Sequence, residues 1–475
     1  MPAEYDSHRA AANTAVRMIF LAPGGKSGYS ISRINVRRHT MSDFTVYPKS
    51  VRPHGCGKAY MLRDHQGKEW FVNCGITHPL DHKTAEMLRR EFPWTAPSRV
   101  LALRKTVAVG DRLDLCAAGI LEACRESDAV PVPVQQSARE LSLSGRTLEE
   151  ALDAATFAVY REGYLGPWGA CADRLQSFQE IEAALAAGCT CLSVDCAPLL
   201  GQGVPPSDEL REQYQGRTFS VEGKQIRFER LTLEDCCREY GQVIILLSEI
   251  YYSYVQRSGV DLEVLLNEAD TPTGAAGLYF LANELCRRGI AFQAVCPRLE
   301  LPLEAAAPLD GEAESLREEA ELLACVSRSF GFKLSFRNLE QKPELLTLLG
   351  EAAGYRLHAS LDGLSWLEAM RLLAREEPVL FRLVYGIALT ALPVARQVFP
   401  SSLDESALPS LDGLEDNALP GLLSSTPVEQ LLELTYGQVL HSQLKDRLAA
   451  FLRSHADELE ELVRNRVRAD LDRLK

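Results

Sequence analysis

The sequence predicts a (β/α)8 barrel of the TIM type over residues 101–398, with an N-terminal β-rich cap over 41–100 and a C-terminal helical extension over 399–475. Three observations predict it. Apolar, strand-like runs alternate with helical patterns from about 101 to 395, eight of these runs end in polar residues, and the flanking segments keep a different rhythm. Alternation of short strands with helices argues βα units and a parallel sheet, and eight units close into a barrel.

In chain order, residues 1–40 carry six Arg or Lys against one Glu and one Asp. Their sign is opposite to that of the rest, and few apolar positions recur, so this stretch is expected to be disordered or to precede the true start at Met41. From 44 to about 100, Ala59-Tyr60-Met61-Leu62 and Glu69-Trp70-Phe71-Val72 flank a turn at Asp64 to Gly67 and read as β-hairpins. The eight expected strand ends are Gly110-Asp111-Arg112, Gln135-Gln136-Ser137, Cys171-Ala172-Asp173, Ser193-Val194-Asp195, Leu266-Asn267-Glu268, Cys296-Pro297-Arg298, Ser335-Phe336-Arg337 and Leu357-His358. An insertion at about 199–240, with a hairpin turning at Glu222-Gly223, separates the fourth strand from the fifth. Residues 400–427, rich in Ser, Pro, Leu and Asp, read as a loop before amphipathic helix over Val428 to Leu474.

Composition excludes several functions. With 475 residues, 46% of them apolar, the chain buries a large core, and a net charge of -14 matches neither nucleic acid nor an anionic membrane. The thirteen cysteines lie on apolar segments, including Cys286, without repeated CxxC spacing, so reduced, buried thiols in a cytoplasmic protein are expected. Uninterrupted apolar runs fall short of the roughly 18 to 20 residues that span a bilayer; Val243 to Ser253 is broken by Ser248 and Glu249. Neither GxxxxGK[ST] nor GxGxxG occurs, which leaves nucleotide chemistry without support.

Barrel active sites lie where the carboxyl ends of the strands meet. Asp173, Asp195 and Glu268 are carboxylates at three such ends and fit general acid-base work; as loop anchors they would be structural. Gln135 and Gln136 could hydrogen-bond a hydroxylated substrate, whereas Ser137 also reads as a helix cap. Arg112, Arg174, Arg298 and Arg337 suit an acidic ligand, because a guanidinium forks onto a carboxylate; internal ion pairs are the competing assignment. None of the nine histidines lies between 83 and 357, so a metal at the mouth would rest on His358 and carboxylates. A lone histidine on such a strand also reads as a packed core residue.

Asn267-Glu268-Ala269-Asp270-Thr271-Pro272-Thr273, followed by Phe280-Leu281-Ala282-Asn283-Glu284-Leu285, resembles a characteristic segment of the tagaturonate epimerases. Val109-Gly110-Asp111-Arg112-Leu113, Val134-Gln135-Gln136-Ser137-Ala138-Arg139-Glu140-Leu141, Glu162-Gly163-Tyr164 and Ser365-Trp366-Leu367-Glu368-Ala369 support it in the same order. The resemblance runs from about Tyr47 to the C-terminus. It implies interconversion of tagaturonate and fructuronate with a divalent metal, Asp173 as proton acceptor and Glu268 as proton donor. Of the implied metal-ligand positions, His358 keeps its imidazole, while Arg174 and Arg337 stand where the family pattern has histidine. Ile120 and Leu278 also replace histidine, Gln176 and Ser360 replace lysine, and Asn267 replaces aspartate. Three readings follow: an epimerase of hexuronate keto acids, a non-catalytic sugar-acid-binding or regulatory homologue, and a metal-independent isomerase or lyase on a related acid.

Overall fold

A computed structural model describes residues 19–20, 44–55, 57–300, 313–337, 339, 343–398, 401 and 403–475. Eight parallel strands form the barrel: Lys105–Ala108, Val130–Ser137, Ala170–Leu175, Cys191–Asp195, Asp261–Leu265, Ala294–Cys296, Lys333–Phe336 and Leu357–Ser360. The second is interrupted at Pro133, which has no N–H for the ladder. Its first half pairs with the first strand and its second half with the third, which closes the sheet on itself. Seven of the eight expected strand ends reach the carboxyl half of these strands, where short apolar runs are buried almost continuously; Leu357-His358 instead opens the last strand, so His358 lies deeper in the barrel than the mouth position expected for it.

The cap is an antiparallel sheet of Phe44–Val46, Arg52–His54, Gly57–Asp64, Glu69–Asn73 and Ile76–Pro79. It also contains a helix, His82–Glu91, absent from the hairpin reading of 44–100; Asp81 caps it by accepting from the Thr84 N–H at 3.0 Å. The expectation for 1–40 lies outside the described residues, except for Ile19–Phe20, a two-residue strand paired in parallel with Ile76 and Thr77.

The insertion forms the expected hairpin, Arg217–Val221 with Lys224–Phe228, between helices Asp208–Tyr214 and Arg230–Ile250. It lies beside the barrel. Phe219, Phe228 and Tyr214 pack on Tyr279 and Phe280 of helix Ala275–Arg287, and the Tyr214 hydroxyl donates to Glu284 Oε1 at 2.8 Å.

The C-terminal extension comprises Thr426–Leu440, Lys445–Ser454 and Ala456–Asp472. The last helix lies along Ala117–Arg125 so closely that a Cβ on Gly119 would meet the Glu460 carbonyl oxygen at 2.4 Å. One composition-based expectation is corrected. Within helix Pro378–Val398, Pro378–Gln397 has a mean hydropathy of 1.7, long and apolar enough to cross a membrane. It packs against Thr426–Leu440 and Leu364–Glu376, burying Leu380, Phe381, Val384, Tyr385, Ala388 and Leu392. A search for unbroken apolar runs misses it because Arg382 and Arg396 interrupt the run; both are engaged by the following loop, Arg382 Nη2 reaching Asp416 Oδ1 at 2.9 Å. Among the described residues, twelve cysteines are free thiols; Cys74 and Cys286 are exposed, against the expectation that the thiols are buried, and the other ten are buried.

Candidate active site at the carboxyl ends of the strands

Asp173, Glu263 and Arg337 meet inside the barrel. On the seventh strand, alternation puts Lys333, Ser335 and Arg337 on one face, and Arg337 ends up 1% exposed. Its Nη1 lies 2.8 Å from Asp173 Oδ1 and its Nη2 donates to Glu263 Oε2 at 3.0 Å. Glu263, on the fifth strand and fully buried, also accepts from the Ser193 hydroxyl. The Asp173 contact is an ion pair without in-line hydrogen bonding: Arg337 Nε and Nη1 make no hydrogen bond.

The charges continue to the rim. Arg174 Nε stands 3.8 Å from Asp173 Oδ2, and Arg174 Nη1 pairs with the half-exposed Glu268. Glu263, Arg337, Asp173, Arg174 and Glu268 thus alternate in sign from the barrel centre outwards. Arg174 has φ 50°, a left-handed conformation that a non-glycine residue adopts at a cost, and the register between the third and fourth strands shifts between Ala172 and Leu175. This bulge re-aims the Arg174 side chain.

Burial pushes the Asp173 carboxyl up to about 7, against the pull of Arg337. Glu263 is equally buried, but Arg337, His358 and the Ser193 and Ser335 hydroxyls together outweigh the desolvation and hold it at about 2. Burial also raises Asp362. Arg337, shared among three acids and helped at Asp173 and Asp362 by Arg174, does not offset burial at all of them, and Asp173 is the group poised near neutrality.

His358 is committed to the barrel interior. Lys333 Nζ donates to Thr106 Oγ1 at 2.6 Å, and Thr106 Oγ1 contacts His358 Nδ1 at 2.8 Å. His358 Nε2 contacts Gln135 Oε1 at 3.0 Å, while Gln135 Nε2 donates to Ser360 Oγ at 3.0 Å, and the Ser360 hydroxyl donates to Asp362. With the Gln135 amide so oriented, the imidazole proton sits on Nε2 and Nδ1 accepts from the threonine. Burial pushes the His358 pKa down to about 3 and that of Lys333 down to about 7.

These residues do not fit a divalent metal beside Asp173. Both His358 nitrogens are taken, and Arg337 and Arg174 hold positive charge against the carboxylate. At 4 Å and an effective dielectric of 20, two unit charges interact by about 4 kcal/mol, and a doubly charged ion doubles the repulsion. Among the described residues, the group spaced to share an ion is elsewhere: His82, Glu149 and Asp153, on the outer helices His82–Glu91 and Leu148–Glu162. His82 Nδ1 lies 2.8 Å from Asp153 Oδ2, and Arg89 Nη1 donates to Asp153 Oδ1 at 2.9 Å, so the cluster is already an ion-paired helix contact.

The remaining sequence candidates divide. Arg112 Nη2 donates to Glu140 Oε1 at 3.0 Å, and its guanidinium lies 4.4 Å from the centre of the Tyr436 ring. Burial works against ionisation of Glu140, yet Arg112 holds its carboxyl below the usual range. Gln136 Nε2 donates to the Asp111 carbonyl at 2.7 Å. Gly110 allows this crowding: a Cβ there would meet the Gln135 carbonyl oxygen at 2.8 Å. Asp195 anchors its loop, accepting from Gln176 Nε2 at 2.8 Å and the Ala197 N–H at 3.1 Å. Ser137 caps its helix in a box with Glu140. Arg298 is tied through its backbone to Thr273 on the preceding loop. Several buried polar atoms without hydrogen-bond partners lie at these ends, namely Arg112 Nε and Nη1, Gln136 Oε1, Asn267 Oδ1, and Arg337 Nε and Nη1, while others such as Trp168 Nε1 and Gln438 Oε1 lie away from them.

The sequence reading missed Glu263, Lys333 and Tyr436. The first two had a signal, since alternation in Asp261-Leu262-Glu263-Val264-Leu265 and Lys333-Leu334-Ser335-Phe336-Arg337 turns the charges inward. Tyr436 had none, because it comes from the C-terminal extension.

The sequence profile of the tagaturonate epimerases matches residues 56–474. A tagaturonate/fructuronate epimerase of Thermotoga maritima is 29% identical over 474 residues, covering 92% of this chain and 98% of its own. A glycerol-complexed crystal structure of the fructuronate-tagaturonate epimerase of Cohnella laeviribosi superposes with a TM-score of 0.86 at 26% identity, covering 91% of this chain and 97% of that one. The native crystal structure of the same enzyme gives a TM-score of 0.86, also at 26% identity, with 91% and 96% covered. A profile match over most of the length and a superposition that covers 91% of the chain together establish that it belongs to the tagaturonate epimerase family.

Proposed function

We propose that the protein interconverts tagaturonate and fructuronate, with Asp173 and Glu268 exchanging protons with the sugar acid. The observation that carries this reading is the set of buried, unpartnered polar atoms of Arg112, Gln136, Asn267 and Arg337 at the strand ends. Native proteins rarely leave such atoms unpaired, and a hydroxylated acid supplies partners for both donors and acceptors. In this reading Arg112, Arg298 and Arg337 hold carboxylate or carbonyl oxygens, and Gln135 and Gln136 orient hydroxyls. A carboxyl near 7 suits Asp173 to accept and return a proton at neutral pH. The family association supports a divalent metal cofactor only in general terms, and His358, buried with both nitrogens engaged, is a poor ligand. We take the protein to act in the cytoplasm on a small sugar acid, without nucleic acid or membrane.

Incubation of purified protein with tagaturonate, with and without divalent ions, tests the proposal by direct detection of fructuronate. Sustained absence of fructuronate under all ions would remove it. A second reading, binding of a hexuronate without turnover, draws on the pairing of Glu268 with Arg174, which ties up the proposed proton donor. Calorimetric titration with the same acid separates the two, since heat without product belongs to the second.

A further inference from the structure

We propose that the Arg337 guanidinium is a built-in replacement for a divalent ion, presenting spare N–H groups to the carbonyl oxygen of the keto acid so that the site works without metal. This rests on the proposed epimerase reading and deepens it.

Four observations carry it. Arg337 is 1% exposed, on a strand whose alternation turns it inward. It sits between two acids on different strands, Asp173 at 2.8 Å and Glu263 at 3.0 Å, an anionic pair of the kind that would otherwise recruit a cation. Its Nε and Nη1 hydrogens have no acceptor in line, leaving donors for a ligand oxygen. Finally, the nearby imidazole that could complete a metal site, His358, has both nitrogens engaged by Thr106 and Gln135.

The chemistry needs a fixed positive charge. A hydroxyl of the sugar acid loses its proton to Asp173, that C–O becomes C=O, the adjacent C–C bond breaks, and its electron pair moves through a new C=C bond onto the original carbonyl oxygen. The step reverses on the opposite face of the new carbonyl, with the proton returned, and consumes no oxidant or reductant. An enolate oxygen forms where Arg337 can neutralise it. A guanidinium, unlike an imidazole, keeps its charge throughout and is not lost to chelators.

The test needs no variant to begin with. Wild-type protein is stripped with EDTA, its metal content is measured by plasma mass spectrometry, and it is assayed with tagaturonate. Full turnover with under about a tenth of an equivalent of metal is expected; loss of turnover restored by Mn2+ or Zn2+ would overturn the proposal. Arg337→Lys, checked for folding by circular dichroism, should lower kcat at least 100-fold with a smaller change in KM. Arg337→His should gain an equivalent of Mn2+ or Zn2+ in calorimetric titration that the wild type lacks. Wild-type binding of that ion, abolished by Asp173→Asn, would contradict the proposal whether or not the protein turns over. If the wild type binds tagaturonate without converting it, the epimerase reading fails; the inference then stands if Arg337→Lys weakens that binding and falls if it does not.

Discussion

Two charged clusters in this protein have the makings of an ion site, and they differ in where the charge is spent. The outer one, His82, Glu149 and Asp153, joins the cap helix to a barrel helix; it is partly exposed and shares Asp153 with Arg89. The inner one, Asp173, Glu263 and Arg337, is almost wholly buried. Solvent screens the outer cluster, so it adds little stability and imposes little on its neighbours. Desolvation makes every charge in the inner cluster depend on the others, and it moves the Asp173 carboxyl to about 7. Spacing alone therefore does not mark a functional centre; the cost of leaving it unpaired does.

The largest expected effect comes from breaking the inner cluster. Arg337→Gln leaves buried Glu263 without its arginine and Asp173 with Arg174 alone, and should lower unfolding stability by roughly 3 to 5 kcal/mol, read as a shift in the urea midpoint. A loss under about 1 kcal/mol would put the inner cluster on a par with the outer one. Asp173→Asn keeps the shape and removes the proposed proton acceptor. It should cut kcat roughly 10^2- to 10^4-fold while tagaturonate affinity changes little.

The inner region also sets a pH dependence. His358 is held at about 3, below its ordinary 6.5, so the stability it contributes is full above about 6.5 and is lost as pH falls towards 3. The loss over that window is on the order of 4 kcal/mol. Asp173 runs the other way: its raised value favours the folded state most below about 4, and that contribution is lost as pH rises through about 7. Thermal melts of wild type and His358→Gln between pH 3 and 7 check the first term, since the variant should show a flatter acid limb. For activity, kcat/KM should rise through about pH 7 as Asp173 ionises.

The smallest effect is expected outside. His82→Ala should change stability by less than about 1 kcal/mol and leave turnover with tagaturonate unchanged. A large loss of turnover, together with loss of a bound ion in mass spectrometry, would reverse the ranking of the two clusters.

Legibility in the sequence followed how local each signal was. The barrel strands were readable because each is a short apolar run ending in polar residues, and the hairpin at Glu222-Gly223 because turn chemistry is local. Helix His82–Glu91 was not, since it lies among hairpins with Asp81 as its main start signal. In the site, Asp173, Arg174, Arg337 and Glu268 were named from strand-end position. Glu263 was passed over because attention to the strand ends ignored the alternation within the strand.

The sequence by itself determined the eight-unit rhythm, the family and the placing of Arg174 and Arg337 beside the ends of two strands, because these are properties of order along the chain. Only the tertiary structure decided what those arginines do. Closing the barrel brings the seventh strand's Arg337 between acids from the third and fifth, folds Tyr436 onto Arg112, and locks His358 between Thr106 and Gln135. These contacts link residues up to 324 positions apart, from Arg112 to Tyr436. Their strength comes from the exclusion of water at the centre, a condition that no single segment carries in its own composition.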